Sequence, residues 1–142
     1  MSLYDYLVSN YHKLLPPKSP EEVEKVISEL GVSLPEDYLR FLRYSSGGLL
    51  PGDTFLVAPL GNELGEEESL LKANKIRPPD FPLIIIGRDA FEDYGFLKRE
   101  LAELEKNKKF IPALYRYLHE TGEYERAADS FEDFIKSLLV KR

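Results

Sequence analysis

The chain has 142 residues, 43% of them hydrophobic and 31% charged, with no cysteine and a formal net charge of −6. That length suits one domain with its own core. The absence of cysteine excludes a disulfide framework, a zinc–thiolate site and a thiol nucleophile, and the acidic balance argues against a surface built to neutralise nucleic-acid phosphates.

The opening MSLYDYLVSNYHKLL has no basic leader, no long apolar run and no small-residue cleavage site. Neither a signal peptide nor a membrane span is expected, and a cytoplasmic location is. Residues 2–15 read as a first helix: Ser2 and Asp5 have capping-box spacing, and Tyr4, Leu7, Val8, Tyr11 and Leu15 keep to one face until Pro16 and Pro17 end it. Ser19 as cap, Pro20 in the first turn and Glu22 at the box position predict a second helix, with Val23, Val26, Ile27 and Leu30 as its buried stripe and Gly31 closing it. A third helix follows in LPEDYLRFLRYSSGG. Pro35 stands in its first turn, Glu36 and Asp37 lie at its positive end, and Tyr38, Phe41 and Leu42 face inward. Gly47 and Gly48 suit the positive φ of a helix exit and tight turn. They do not suit a phosphate loop, since no strand precedes them and no Lys-Ser/Thr follows.

Beyond residue 50 the pattern becomes extended. TFLVA (54–58) and PLIIIG (82–87) are apolar runs bounded by Pro and Gly, and DYGFL (93–97) reads as the return strand after the turn RDAFE. The acidic connection between them has room for a helical turn around Leu70 and Leu71. RELAELEKNKK (99–109) reads as an exposed helical excursion anchored by Leu101 and Leu104. ALYRYLH (113–119) alternates, and ETGE turns it into a partner strand over 124–128. The alternation separates Tyr115 and Tyr117 from their neighbours without saying which face is covered. Ser130 and Asp133 cap a final helix lined by Phe131, Phe134, Ile135, Leu138 and Leu139. Helices, then a meander of strands, then a helix define an α+β domain, with helices packed on one face of a mainly antiparallel sheet.

The chemistry is sparse. His12 and His119 fall on different elements without a ligand spacing, so neither a metal nor another cofactor is expected. No serine lies in a Gly-x-Ser-x-Gly elbow. Asp53, Glu63, Glu66, Glu67, Glu68, Asp89, Glu92 and Asp93 sit in polar, loop-like sequence, where nothing apolar would raise a carboxyl pKa, so acid–base catalysis is not expected. The same carboxylates, with Phe91 and Tyr94 among them, fit a protein-binding surface that steers by charge and anchors by aromatic rings. The competing reading is a solvated face, with Tyr94 half-buried in its strand.

Three blocks carry a resemblance. ISELGVSLPEDYLRFLRYSSGG, FPLIIIGRDAFEDYGFL and ALYRYLHETGEYERAADSFEDFIKSLL resemble the signature blocks of the SUKH superfamily, the SMI/KNR-type domain. Leu30-Gly31, Leu34-Pro35, Tyr38, Phe41, Leu42 and Gly47-Gly48 follow its first block, and Ala128, Ser130, Phe131, Phe134 and Leu138 its last. In the middle block, Asp89-Ala90-Phe91-Glu92-Asp93-Tyr94-Gly95 stands where members commonly carry a Gly-Asp pair.

The resemblance implies a single such domain over 1–142, with 1–17 as an N-terminal helical extension, a curved antiparallel sheet and no catalytic residues. It also implies work done by binding another protein, either as a bacterial immunity protein that occludes a toxin's active domain, possibly a nuclease, or as a regulator of the fungal cell-wall assembly type. A basic toxin domain is the expected partner, with neither nucleic acid nor membrane bound and the chain a monomer or weak homodimer.

Overall fold

The computed structural model describes residues 14–50 and 55–140. Its elements are α1 (Pro20–Leu30), α2 (Glu36–Tyr44), β1 (Gly48–Leu49), β2 (Leu56–Val57), a 3₁₀ turn (Glu66–Glu68), α3 (Leu70–Lys75), β3 (Leu83–Arg88), β4 (Asp93–Leu97), α4 (Lys98–Lys106), β5 (Leu114–Leu118), β6 (Glu123–Ala128) and α5 (Phe131–Val140). The six strands form one antiparallel sheet in chain order, so every strand pairs with its sequence neighbour. This is the α+β arrangement expected from the order of elements.

Local chemistry sets the helix ends. Ser19 Oγ accepts the Glu22 amide at 3.2 Å as the N-cap of α1 and donates to the Glu22 carboxylate at 3.1 Å. Gly31, at φ 73°, closes α1 in the left-handed conformation. The α1 stripe of Val23, Val26, Ile27 and Leu30 packs against the core but is only partly buried. Pro35 sits just outside α2, where its extended backbone starts the helix. Tyr38, Phe41 and Leu42 of α2 are fully buried, each worth about 1.5–3 kcal/mol of apolar transfer for aliphatic and Phe-sized groups. At the head of α5, Ser130 Oγ accepts the Asp133 amide at 3.1 Å. Asp37 of α2 accepts the Glu132 amide at 2.9 Å, locking the two helices together.

The sheet is covered on both sides. On one side α1, α2 and α5 pack Tyr38, Phe41, Phe131, Phe134 and Ile135 against Ile84, Ile86, Tyr94, Phe96 and Leu114. On the other, Leu83, Ile85, Leu97 and Tyr115 form a smaller cluster with Phe81 and Ala113, and Tyr117 packs at its margin. Tyr115 is therefore core, and Tyr117 is half-buried beside it.

Two local features differ from the sequence expectation. Leu14 and Leu15 do not end a helix: Leu14 bridges Gly48, and the Leu15 amide donates to the Gly47 carbonyl at 2.8 Å, so this segment runs extended beside β1. The rest of the helix expected over 2–15, and His12 with it, lies outside the described residues. The 99–109 excursion is helical as α4, yet it is docked. Leu101 and Leu104 are buried, and Glu100 accepts the Ala113 amide at 3.0 Å and the Tyr115 hydroxyl at 2.7 Å. Gly47, at φ 125°, leaves no room for a side chain, since a Cβ there would lie 2.7 Å from Pro59 Cα. That close approach is what the glycine supplies between α2 and the sheet.

Candidate partner-binding surface

The sequence nominated the loop over 61–68 and the hairpin over 89–94. The structure brings them together through one ion pair: Arg88 at the end of β3 donates Nε to Glu68 at 3.0 Å and Nη2 to its other oxygen at 2.8 Å. Between the two segments lies an open hollow of about 330 Å³. Its floor is Leu49, Phe55 and Leu56, and its rim is Leu64, Glu68, Arg88, Asp89 and Ala90.

Asp89 builds the hairpin tip. One carboxylate oxygen accepts the Phe91 and Glu92 amides at 2.8 and 2.7 Å, and the other accepts the Tyr94 hydroxyl at 2.7 Å. Burial works to raise its pKa, but those three donors outweigh it and hold the carboxyl below its ordinary value. The result is a fixed turn that presents Phe91 with 83% of its surface exposed. Leu64, 42% exposed, stands on the facing loop.

The other nominated residues divide into two groups. Glu66 and Glu67 are exposed on the 3₁₀ turn, and neither pairs with a cation among the described residues. Glu63 pairs with Lys18, whose ammonium holds that carboxyl low. Glu92 is partly buried and accepts the His119 amide at 3.1 Å, fastening the hairpin to β5. Asp53 lies outside the described residues.

Asp93 and Tyr94 are not surface residues, at 9% and 4% exposed. The reason is their strand: β4 lies between β3 and β5, and all five of its residues are buried. Asp93 points to the smaller cluster, where Arg77 and His119 hold it at 2.8 and 3.0 Å. Tyr94 packs on the helix side against Phe55 and Phe134, with ring centroids at 5.1 and 5.2 Å. Desolvation, helped by Asp89, pushes its hydroxyl up to about 12. Both residues support the surface from beneath. Leu64 and Arg88 were missed by reasoning that followed charge runs and aromatics. Leu64 interrupts the acidic run GNELGEEE, and that interruption was the signal available.

Among the described residues, no group of three or more His, Cys, Asp or Glu is placed to hold a metal ion. No helix there is long and apolar enough to cross a membrane.

A sheet meander clasped by N-terminal helices and a C-terminal helix, with a hollow between two loops at one end, defines a domain class rather than a reaction. The chain belongs to the SMI1/KNR4 family (SUKH-1), whose model matches residues 17–137. No curated protein matches it closely enough to count as a relative.

Proposed function

We propose that this chain is a non-enzymatic binding protein of the immunity type, which neutralises a basic toxin domain, a nuclease being the class its charge fits best, by covering that domain's active surface. The observation that carries the reading is Phe91, held 83% exposed on a turn that Asp89 fixes at the rim of a hollow with an apolar floor, while the facing loop carries Glu66 and Glu67, which pair with no cation among the described residues. An aromatic ring presented on an ordered turn loses little conformational freedom when a partner covers it. Acidic groups around it attract a surface that itself evolved to meet phosphates.

A non-enzymatic role fits the state of the carboxylates. Glu63, Glu68, Asp89, Glu92 and Asp93 are each bound to a structural partner, and Glu66 and Glu67 are exposed, so none has the apolar setting of a working general acid. Acting inside the producing cell is part of the same proposal.

The test uses the immobilised protein as bait in lysate of its source at low and moderate salt, with mass spectrometry of what binds. One stoichiometric basic partner, lost by Phe91→Ala and by joint Glu66→Lys and Glu67→Lys replacement, is expected. Several weak partners indifferent to those changes would instead favour a regulator of the cell-wall assembly type.

A further inference from the structure

The two edges of the sheet are unlike. At one, β1 has two residues, and Leu14 bridges Gly48 from outside. At the other, β6 runs for six residues, pairs only with β5 among the described residues, and leaves its first four residues exposed. Alternate peptide groups of such a strand point away from the sheet and form a template for another strand.

The side chains of β6 restrict what can pair there. Register with β5 sets Glu123 and Glu125 on the face of Leu118 and Arg116, and Tyr124 and Arg126 on the face of Tyr117 and Tyr115. Arg116 directs Nε and Nη2 to the same Glu125 oxygen, Oε1, at 2.9 and 2.8 Å. The other oxygen, and the whole Glu123 carboxylate, have no partner among the described residues.

A second copy of the chain fits the exposed stretch of this edge, residues 123–126, badly. The two-fold axis that joins two β6 strands antiparallel stands perpendicular to the sheet and keeps each residue on its face, so one residue must lie opposite itself. Centring on Tyr124 sets Glu123 opposite Glu125 twice, centring on Glu125 sets that residue against its copy, and centring on Arg126 does the same for the guanidinium. Each of these registers places like charges face to face, which destabilises a pair. The same two carboxylates attract a strand that brings cations at their spacing.

We infer that the β6 edge receives an extended segment of a basic partner, with Lys or Arg at positions i and i+2 facing Glu123 and Glu125, and an aromatic or β-branched residue between them beside Tyr124. This rests on the proposed basic protein partner and adds how its chain is held: backbone pairing supplies affinity, and the alternating cations supply register.

The probe is a labelled eight-residue peptide alternating Lys with Val and Tyr, compared with the same peptide N-methylated at every interior amide. Methylation keeps the charge and removes the strand's donors. With the parent peptide, hydrogen exchange in 123–128 slows, and the methylated peptide binds about tenfold more weakly or worse. Glu123→Lys weakens the parent peptide roughly fivefold without altering the fold, because that carboxylate bonds to nothing among the described residues. Equal binding of the two peptides, or unchanged exchange in β6, overturns the inference. So does a basic partner captured equally by the protein and its Glu123→Lys variant, which leaves the basic-partner reading intact. Pairing of the peptide at β6 when the lysate yields no basic partner upholds the edge and removes that reading.

Discussion

Tyr38 illustrates how one atom can be an expense inside a good core. Its ring makes edge contacts with Phe96 and Phe131 at 5.7 and 5.2 Å, while its hydroxyl is buried without a hydrogen-bond partner among the described residues. Desolvation alone raises its pKa. Tyr38→Phe keeps the ring and removes the stranded hydroxyl, so urea unfolding should show stability unchanged or raised by about 1 kcal/mol. A loss of that size would mean the hydroxyl has a partner.

Asp89 is the opposite case, a polar group with every donor it needs. Because its folded pKa lies below the ordinary 3.8, the charged form is favoured by folding. The associated stability is present above that pH and is lost as the pH falls through the lower folded value. Asp89→Asn should therefore unfold somewhat more easily than the wild type at neutral pH, by less than about 1 kcal/mol since much of the carboxyl meets water. The gap should close in acid below pH 3.8. A gap constant down to pH 2 would assign the effect to shape rather than charge.

At the scale of elements, α3 matters through a single side chain. β2 pairs with β3 only at Gly87 and Arg88 and then turns away, although Ala58 still donates to the Ile86 carbonyl. Ile85, one residue further along β3, is left without a strand on that side. Asn74 of α3 fills the gap: its carbonyl accepts the Ile85 amide at 2.8 Å, and its amide donates to the Ile85 and Leu70 carbonyls, each at 2.9 Å. The side chain acts as a one-residue strand and fastens α3 to the sheet edge. Asn74→Ala strands both backbone groups, and denaturant unfolding should show a loss of about 2–3 kcal/mol. Asn74→Asp should do no better, because a carboxylate cannot donate to the Ile85 carbonyl. The helix caps at Ser19, Gly31 and Ser130 were legible in the sequence because each is written within four residues. Asn74 was not, since its role exists only where β2 departs. The extended path of Leu14 and Leu15 was hidden for the same reason: their apolar spacing fits a helix, and pairing with Gly48 overrides it.

For the molecule as a whole, the exposure of Glu66, Glu67 and Phe91 was legible from composition, and the ion pair of Glu68 with Arg88 joins the two segments that carry them. The burial of Asp93 and Tyr94 was not legible. DYGFL lacks the polar–apolar alternation of a half-exposed strand, and that lack is itself the mark of a central strand covered on both faces. Weighting the acid and the tyrosine by type alone misses it. The same division of labour predicts how binding would fail. Glu66 and Glu67 are exposed, so in the proposed complex they would lie at the rim, act at a distance and set the rate of encounter. In the same proposed complex Phe91 would be the contact group, so its effect would belong to the lifetime of the complex. In surface plasmon resonance against the captured partner, joint Glu66→Gln and Glu67→Gln replacement should lower the association rate by about threefold to tenfold at low salt and flatten its salt dependence, with dissociation nearly unchanged. Phe91→Ala should leave association and its salt slope alone and speed dissociation by roughly tenfold to a hundredfold. If the glutamines changed dissociation instead, those carboxylates would be buried contacts. If Phe91→Ala changed neither rate, the hairpin tip would lie outside the interface, and the β6 edge, unpaired among the described residues, would become the place to look.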